Sequence, residues 1–209
     1  MTEPLIESLR ICDRDKTPTL HLAADLFSST RSTVSVRCEK ACHNGLITED
    51  DVAKLMHGID KRKDDCVSWF AQAAASANPQ YLYGMKTEEY LERLQKIAPD
   101  GVSHMINKVI PGYYNKVTWK CTEEELLEKQ GKAIQEFTQF RNRSISDLCS
   151  QNAIRAGQGE NCAGFYQAYS FAMPHFAPIG AMLCSQVSSQ GASERSHKVT
   201  GLQFSKVCD

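Results

Sequence analysis

The sequence predicts an α+β protein, with a mostly helical region first and then a core built on a small antiparallel sheet. Two observations predict it. Helical spacing of apolar residues and repeated cap signals run through the first three quarters of the chain. After Gly157 the pattern changes to short apolar runs divided by Pro, Gly and Ser, which is the punctuation of strands and loops. The boundary falls at residue 120. A helical region covers 1–120; over 121–209 come a long helix, a cysteine-bearing helix, a strand and a histidine-bearing strand.

Each helix has its own signals. Residues 4–10 read as a short opening helix. Thr17-Pro18 is an N-cap with proline at the first helical position. The helix it opens carries Leu20, Leu22, Leu26, Phe27, Val34 and Val36, and Gly45 closes it. Ser28-Ser29-Thr30-Arg31-Ser32-Thr33 is poor in helix formers, so a break is expected there. Thr48 caps the next helix, with Glu49, Asp50 and Asp51 in its first turn. Val52, Leu55, Met56 and Ile59 form its apolar stripe. It is expected to continue, kinked near Gly58, as far as Ala77, where Asn78-Pro79 stops it.

Thr87 caps a helix bearing Tyr90, Leu91, Leu94 and Ile97, closed by Pro99-Asp100-Gly101. A shorter apolar segment covers 102–109. Thr122 with Glu125 is a capping box, and the helix after it is expected to reach about Arg155 with a bend near 141–143. Cys162 opens a helical run ended by Pro174 and Pro178. The sheet is expected to start near Ile179, in the apolar run 179–187, and a second strand covers 197–207. The chain stops at Val207-Cys208-Asp209 with no polar tail, which reads as a fragment of a longer protein.

Composition narrows the function classes. A formal net charge of −1 gives no strong field for nucleic acid or an anionic membrane. No apolar run has the length of a membrane helix, and Met1-Thr2-Glu3-Pro4 does not resemble a secretory leader. Nine cysteines is an odd number, so a complete disulfide framework is not expected. The cysteines read as mostly buried thiols in a reducing, cytoplasmic compartment, packing as small hydrophobes.

Cys162 stands apart in Gly157-Gln158-Gly159-Glu160-Asn161-Cys162-Ala163-Gly164-Phe165. With Asn161 as N-cap, it falls in the first turn of a helix, where N–H groups and the helix dipole favour the thiolate. His197, at the start of the later strand, can be carried back beside that helix end, because a helix of about ten residues is only roughly 15 Å long. His175 is set aside as a partner because it sits at the far end of the same helical run.

This order of residues resembles the papain-like and transglutaminase-like cysteine enzymes over residues about 157–209. The match lies in Gly159-Glu160-Asn161-Cys162-Ala163-Gly164-Phe165 and Ser196-His197-Lys198-Val199. The resemblance extends to bacterial effector domains delivered into a host-cell cytosol. It implies Cys162 as nucleophile, His197 as general base, Asp209 as the residue orienting the imidazole, and Gln158 as an oxyanion donor. It further implies attack on an amide or thioester of a protein substrate through an acyl-enzyme, with no cofactor and no metal. Peptidase, deamidase and transglutaminase types share this chemistry.

Two other readings compete. Cys38 and Cys42 lie one helical turn apart, and with His57 and Cys66 they suggest a zinc site, although no common finger spacing is present; the bland alternative is a pair of buried thiols. The second is a non-enzymatic helical interaction module in which Cys162 and the other cysteines are structural. Trp69, Phe70, Tyr81, Tyr83, Tyr113, Tyr114 and Trp119 would then be core anchors or a partner surface.

Overall fold

A computed structural model of the chain describes residues 20–186. The helix expected over 4–10, the Thr17-Pro18 cap, the strand over 197–207, His197 and Asp209 lie outside the described residues. All regular structure among the described residues is helical. The α+β expectation, with its papain-like or transglutaminase-like sheet core, is therefore overturned.

The chain begins with α1 (Leu20–His43) and α2 (Glu49–Cys66), joined by a turn in which Gly45 takes φ +68°. Helix α1 does not break at its Ser/Thr run. Ser29 Oγ donates to Leu26 C=O at 3.1 Å and Thr33 Oγ1 to Ser29 C=O at 2.9 Å, so the hydroxyls bond back onto the helix. Thr48 caps α2 as expected, and the cap closes further as a box with Asp51 as its acid.

Helix α2 stops at Cys66. Ser68 then caps a separate helix, α3 (Trp69–Ser76), by accepting from Ala71 N–H at 3.3 Å. Asn78-Pro79 ends no long helix; it opens α4 (Pro79–Gly84), with Asn78 Oδ1 accepting from Gln80 N–H at 2.9 Å. Helix α5 (Thr87–Ile97) follows. A continuous helical stretch then comprises α6 (Gly101–His104), a π-helical segment (Met105–Val109) and α7 (Ile110–Tyr113).

Helix α8 (Lys116–Trp119) leads to α9 (Glu123–Arg141), opened by the Thr122–Glu125 capping box. Helix α9 ends at Arg141 instead of reaching Arg155. Arg143 turns left-handed at φ 51°, a 3₁₀ turn covers Ser146–Cys149, and Ser150 caps α10 (Gln151–Gln158). Helices α11 (Cys162–Ala168) and α12 (Ala177–Cys184) complete the described chain.

Helix α12 replaces the strand expected near Ile179. Its apolar run has no polar alternation to mark a strand, and Pro178 supplies the preset φ of a first helical turn. Ile179, Leu183 and Cys184 are buried.

The alanine-rich α3 lies at the centre. Ala71, Ala73, Ala74 and Ala75 are fully buried, and their small side chains let α1 and α6 approach it closely. One buried cluster runs from Leu20 to Cys184 and draws on both sides of residue 120. Bidentate pairs fix the periphery: Arg31 with Asp60 ties α1 to α2, and Arg93 with Asp25 ties α5 to α1. Leu20 N–H donates to Gln186 C=O at 3.1 Å, so the two ends of the described chain meet.

Candidate functional site

Asn161 caps α11 as the sequence indicates. Its Oδ1 accepts from Gly164 N–H at 2.8 Å, and Cys162 is the first residue of the helix. A Cβ on Gly164 would collide with that capping side chain, so glycine is needed there for the cap to close. Cys162 is only 2 % exposed.

Three elements surround its sulfur. Asn78, the cap of α4, places Oδ1 3.4 Å from Cys162 Sγ. The thiol of Cys184, on the last turn of α12, is the group that acts most strongly on the Cys162 thiol. His21, in the first turn of α1, is the imidazole that meets it. Asn78 is 1 %, Cys184 2 % and His21 3 % exposed, so the cluster is shielded from the surface.

Cys162 has partners in either protonation state. As a thiol it donates to Asn78 Oδ1. As a thiolate it accepts first from the Cys184 S–H, then from His21, and from the backbone N–H of Gln80. These interactions outweigh the cost of burying the charge and hold the Cys162 thiol below the ordinary thiol range, while Cys184, donating to it, is pushed up. The Cys184 thiol is thus the largest single support of the thiolate.

Two polar atoms here lack partners. His21 Nδ1 and Asn78 Nδ2 are buried with no hydrogen bond. The unused Asn78 amide N–H₂ belongs to the group whose oxygen already touches the sulfur, so it is an amide donor available beside the thiol.

The sequence-derived residues fare differently. Cys162 is central. The Gln158 amide is engaged elsewhere: Nε2 donates to Tyr83 C=O at 2.8 Å, bracing the end of α4. His175 also has another task, with Nδ1 2.8 Å from Glu136 Oε1, and the helix expected to connect it to Cys162 ends at Ala168. His197 and Asp209 fall outside the described residues. No group of three or more His, Cys, Asp or Glu able to hold a metal forms among the described residues. Cys38 instead lies in a separate buried cluster with Val34 and Ile59.

Sequence reasoning missed His21, Asn78 and Cys184. Asn78-Pro79 was legible as punctuation but carried no hint of a thiol 84 positions later. A groove of about 740 Å³ lies between α1 and α5, walled by Asp25, Arg31, Ser32, Glu89, Arg93 and Lys96; Cys162 does not line it.

No family model, no curated protein and no solved structure matches this chain.

Proposed function

We propose that this protein is a thiol-dependent enzyme that acts on amide or thioester bonds of a protein substrate, with Cys162 as its nucleophile. The observation that carries the reading is the convergence of Cys184, His21 and the Gln80 N–H on one sulfur, which favours the thiolate at neutral pH. Free cysteine is only a few per cent thiolate there.

In the proposed step the Cys162 sulfur attacks the carbonyl carbon and a C–S bond forms. The carbonyl oxygen takes the negative charge, and Asn78 Nδ2, the donor without a partner, donates a hydrogen bond to that oxyanion. The tetrahedral intermediate collapses by breaking the C–N bond of an amide or the C–S bond of a thioester. His21 passes a proton to the leaving group, and water or an amine then releases the acyl group. His21 and Asn78 here take the tasks that the resemblance assigned to His197 and Gln158. Reaction requires the shell around Cys162 to open, since the sulfur is buried.

The test is labelling of the full chain with a limiting thiol reagent at neutral pH, followed by peptide mapping. Cys162 is expected to react first; with labelling repeated at a pH below its midpoint, His21→Gln is expected to slow it about tenfold for each unit its midpoint rises, and His197→Ala to leave it within a factor of two. Slowing by His197→Ala alone would return the base to His197. Equal labelling of all cysteines, or labelling only after denaturation, overturns the enzyme.

That last outcome favours the second reading, a helical interaction module with structural cysteines, for which the 2 % exposure of Cys162 speaks. Val117, Trp119 and Leu127 are its exposed apolar residues near the start of α9.

A further inference from the structure

We propose that Cys162 and Cys184 form a reversible disulfide on exposure to a peroxide, making this pair a modification site that takes the nucleophile out of action. The inference rests on the Cys162 thiolate and not on acyl transfer.

The geometry carries it. Cys162 opens α11 and Cys184 closes α12, two helices packed against each other with Tyr166 of one on Gly180 of the other, and both cysteines are buried. Gly180 lets the two helices come that close, since its bare backbone faces the Tyr166 ring of α11 where a Cβ would clash. Cys38 sits in a different buried cluster, and Cys149 is exposed on the 3₁₀ turn. The two roles in an oxidation are already divided within the pair: Cys162 is held toward the thiolate, the attacking form, and Cys184 keeps its proton.

The chemistry balances in two steps. The Cys162 thiolate attacks one oxygen of hydrogen peroxide; an S–O bond forms, the O–O bond breaks, and the hydroxide released takes up a proton to become water. Cys162 is now a sulfenic acid. The Cys184 sulfur attacks the Cys162 sulfur, an S–S bond forms, and the departing hydroxide takes the Cys184 proton as a second water. Each sulfur gives up one electron and the peroxide accepts both. With both thiols buried, peroxide reaches the pair as the shell around it opens.

The chain offers a clean readout. No Lys or Arg lies between Arg155 and Arg195, so trypsin leaves both cysteines on one peptide, 156–195, with no third cysteine. Native full-length protein is treated with hydrogen peroxide, quenched, unfolded, alkylated and digested. The expected product is that peptide two hydrogens lighter with neither cysteine alkylated, and dithiothreitol restores alkylation at both. In Cys184→Ser the serine hydroxyl still donates to Cys162 but cannot form the bond. There Cys162 is expected to go on to the sulfinic acid, and recovery by dithiothreitol is lost. Double alkylation after peroxide in the wild type, pairing of Cys162 with any other cysteine, or full recovery of Cys184→Ser overturns the proposal. A disulfide without selective labelling of Cys162 by an acyl probe would sink the enzyme and leave this pair standing; the reverse result would do the opposite.

Discussion

The sulfur of Cys162 lies 3.4 Å from Oδ1 of Asn78, a residue 84 positions earlier that also caps α4 through Gln80 N–H. One carboxamide therefore serves a helix end and a thiol. The cap fixes which end of the amide faces the sulfur, because Oδ1 must accept from Gln80. Asn78 thus stabilises the thiol and not the thiolate, and its Nδ2 is left over.

Asn78→Ala deletes the acceptor of the Cys162 S–H and frees Gln80 N–H to donate wholly to the sulfur. Both changes favour the thiolate, so the pH midpoint of Cys162 alkylation is expected to fall further. Loss of the cap costs about 1 kcal/mol, read by chemical denaturation. A midpoint that rises would mean that Asn78 supports the charged form.

His21 acts in the other direction. It is the second-largest favourable influence on the thiolate, after Cys184. Free cysteine titrates near ~8.5, and alkylation of Cys162 is expected to titrate below that. His21→Gln weakens the charged form and moves the midpoint up. At any pH below both midpoints, each unit of that movement lowers the thiolate, and the rate, about tenfold. Stopped-flow alkylation across pH checks it; an unmoved midpoint would remove His21 from the site.

Local signals in the sequence were reliable where a side chain answers its own backbone. The Thr48 cap, the Thr122 capping box, the Asn161 cap and the position of Cys162 one residue after it all need only neighbours in the chain. Ends of helices were less legible. Ser28–Thr33 reads as a break, yet its hydroxyls satisfy themselves on the preceding turn. The run at Ile179 is apolar on every face, and such a run has no period with which to separate strand from buried helix. Partners were not legible at all. Spacing shows which face of a helix is buried but not what meets it, and His21, Asn78 and Cys184 reach Cys162 from three other helices or caps.

Two glycines separate packing from propensity. At Gly180 an added Cβ would strike the Tyr166 ring, which is fully buried. Gly180→Ala is expected to cost about 1–3 kcal/mol by overpacking. It also pushes α12, with Cys184, away from α11, so the yield of peroxide-formed disulfide should drop in the folded variant. Gly131, in the exposed interior of α9, has nothing within 4 Å of an added Cβ. Gly131→Ala is expected to stabilise by about 0.5–1 kcal/mol through helix propensity. Denaturation midpoints of opposite sign check the pair, and two changes of the same sign would contradict the packing argument.

Glu136 holds the start of α12 from a distance. That helix has no side-chain cap of its own. Glu136 Oε2 accepts from the backbone N–H of His175 at 2.8 Å and of Phe176 at 2.7 Å, and Oε1 lies 2.8 Å from His175 Nδ1. A carboxylate from α9 thus takes the place of an N-cap, and the negative charge suits a helix N-terminus. Glu136→Ala leaves two backbone donors unpaired in a half-buried place and is expected to cost about 2–3 kcal/mol. Glu136→Gln keeps one oxygen and should lose less. Because α12 carries Cys184 at its other end, Glu136→Ala should also loosen the Cys162 shell and speed alkylation of Cys184 in the native protein. Denaturation gives the first effect and peptide-resolved alkylation the second. A large stability loss with Cys184 still protected would mean that α12 stays docked through its apolar face alone.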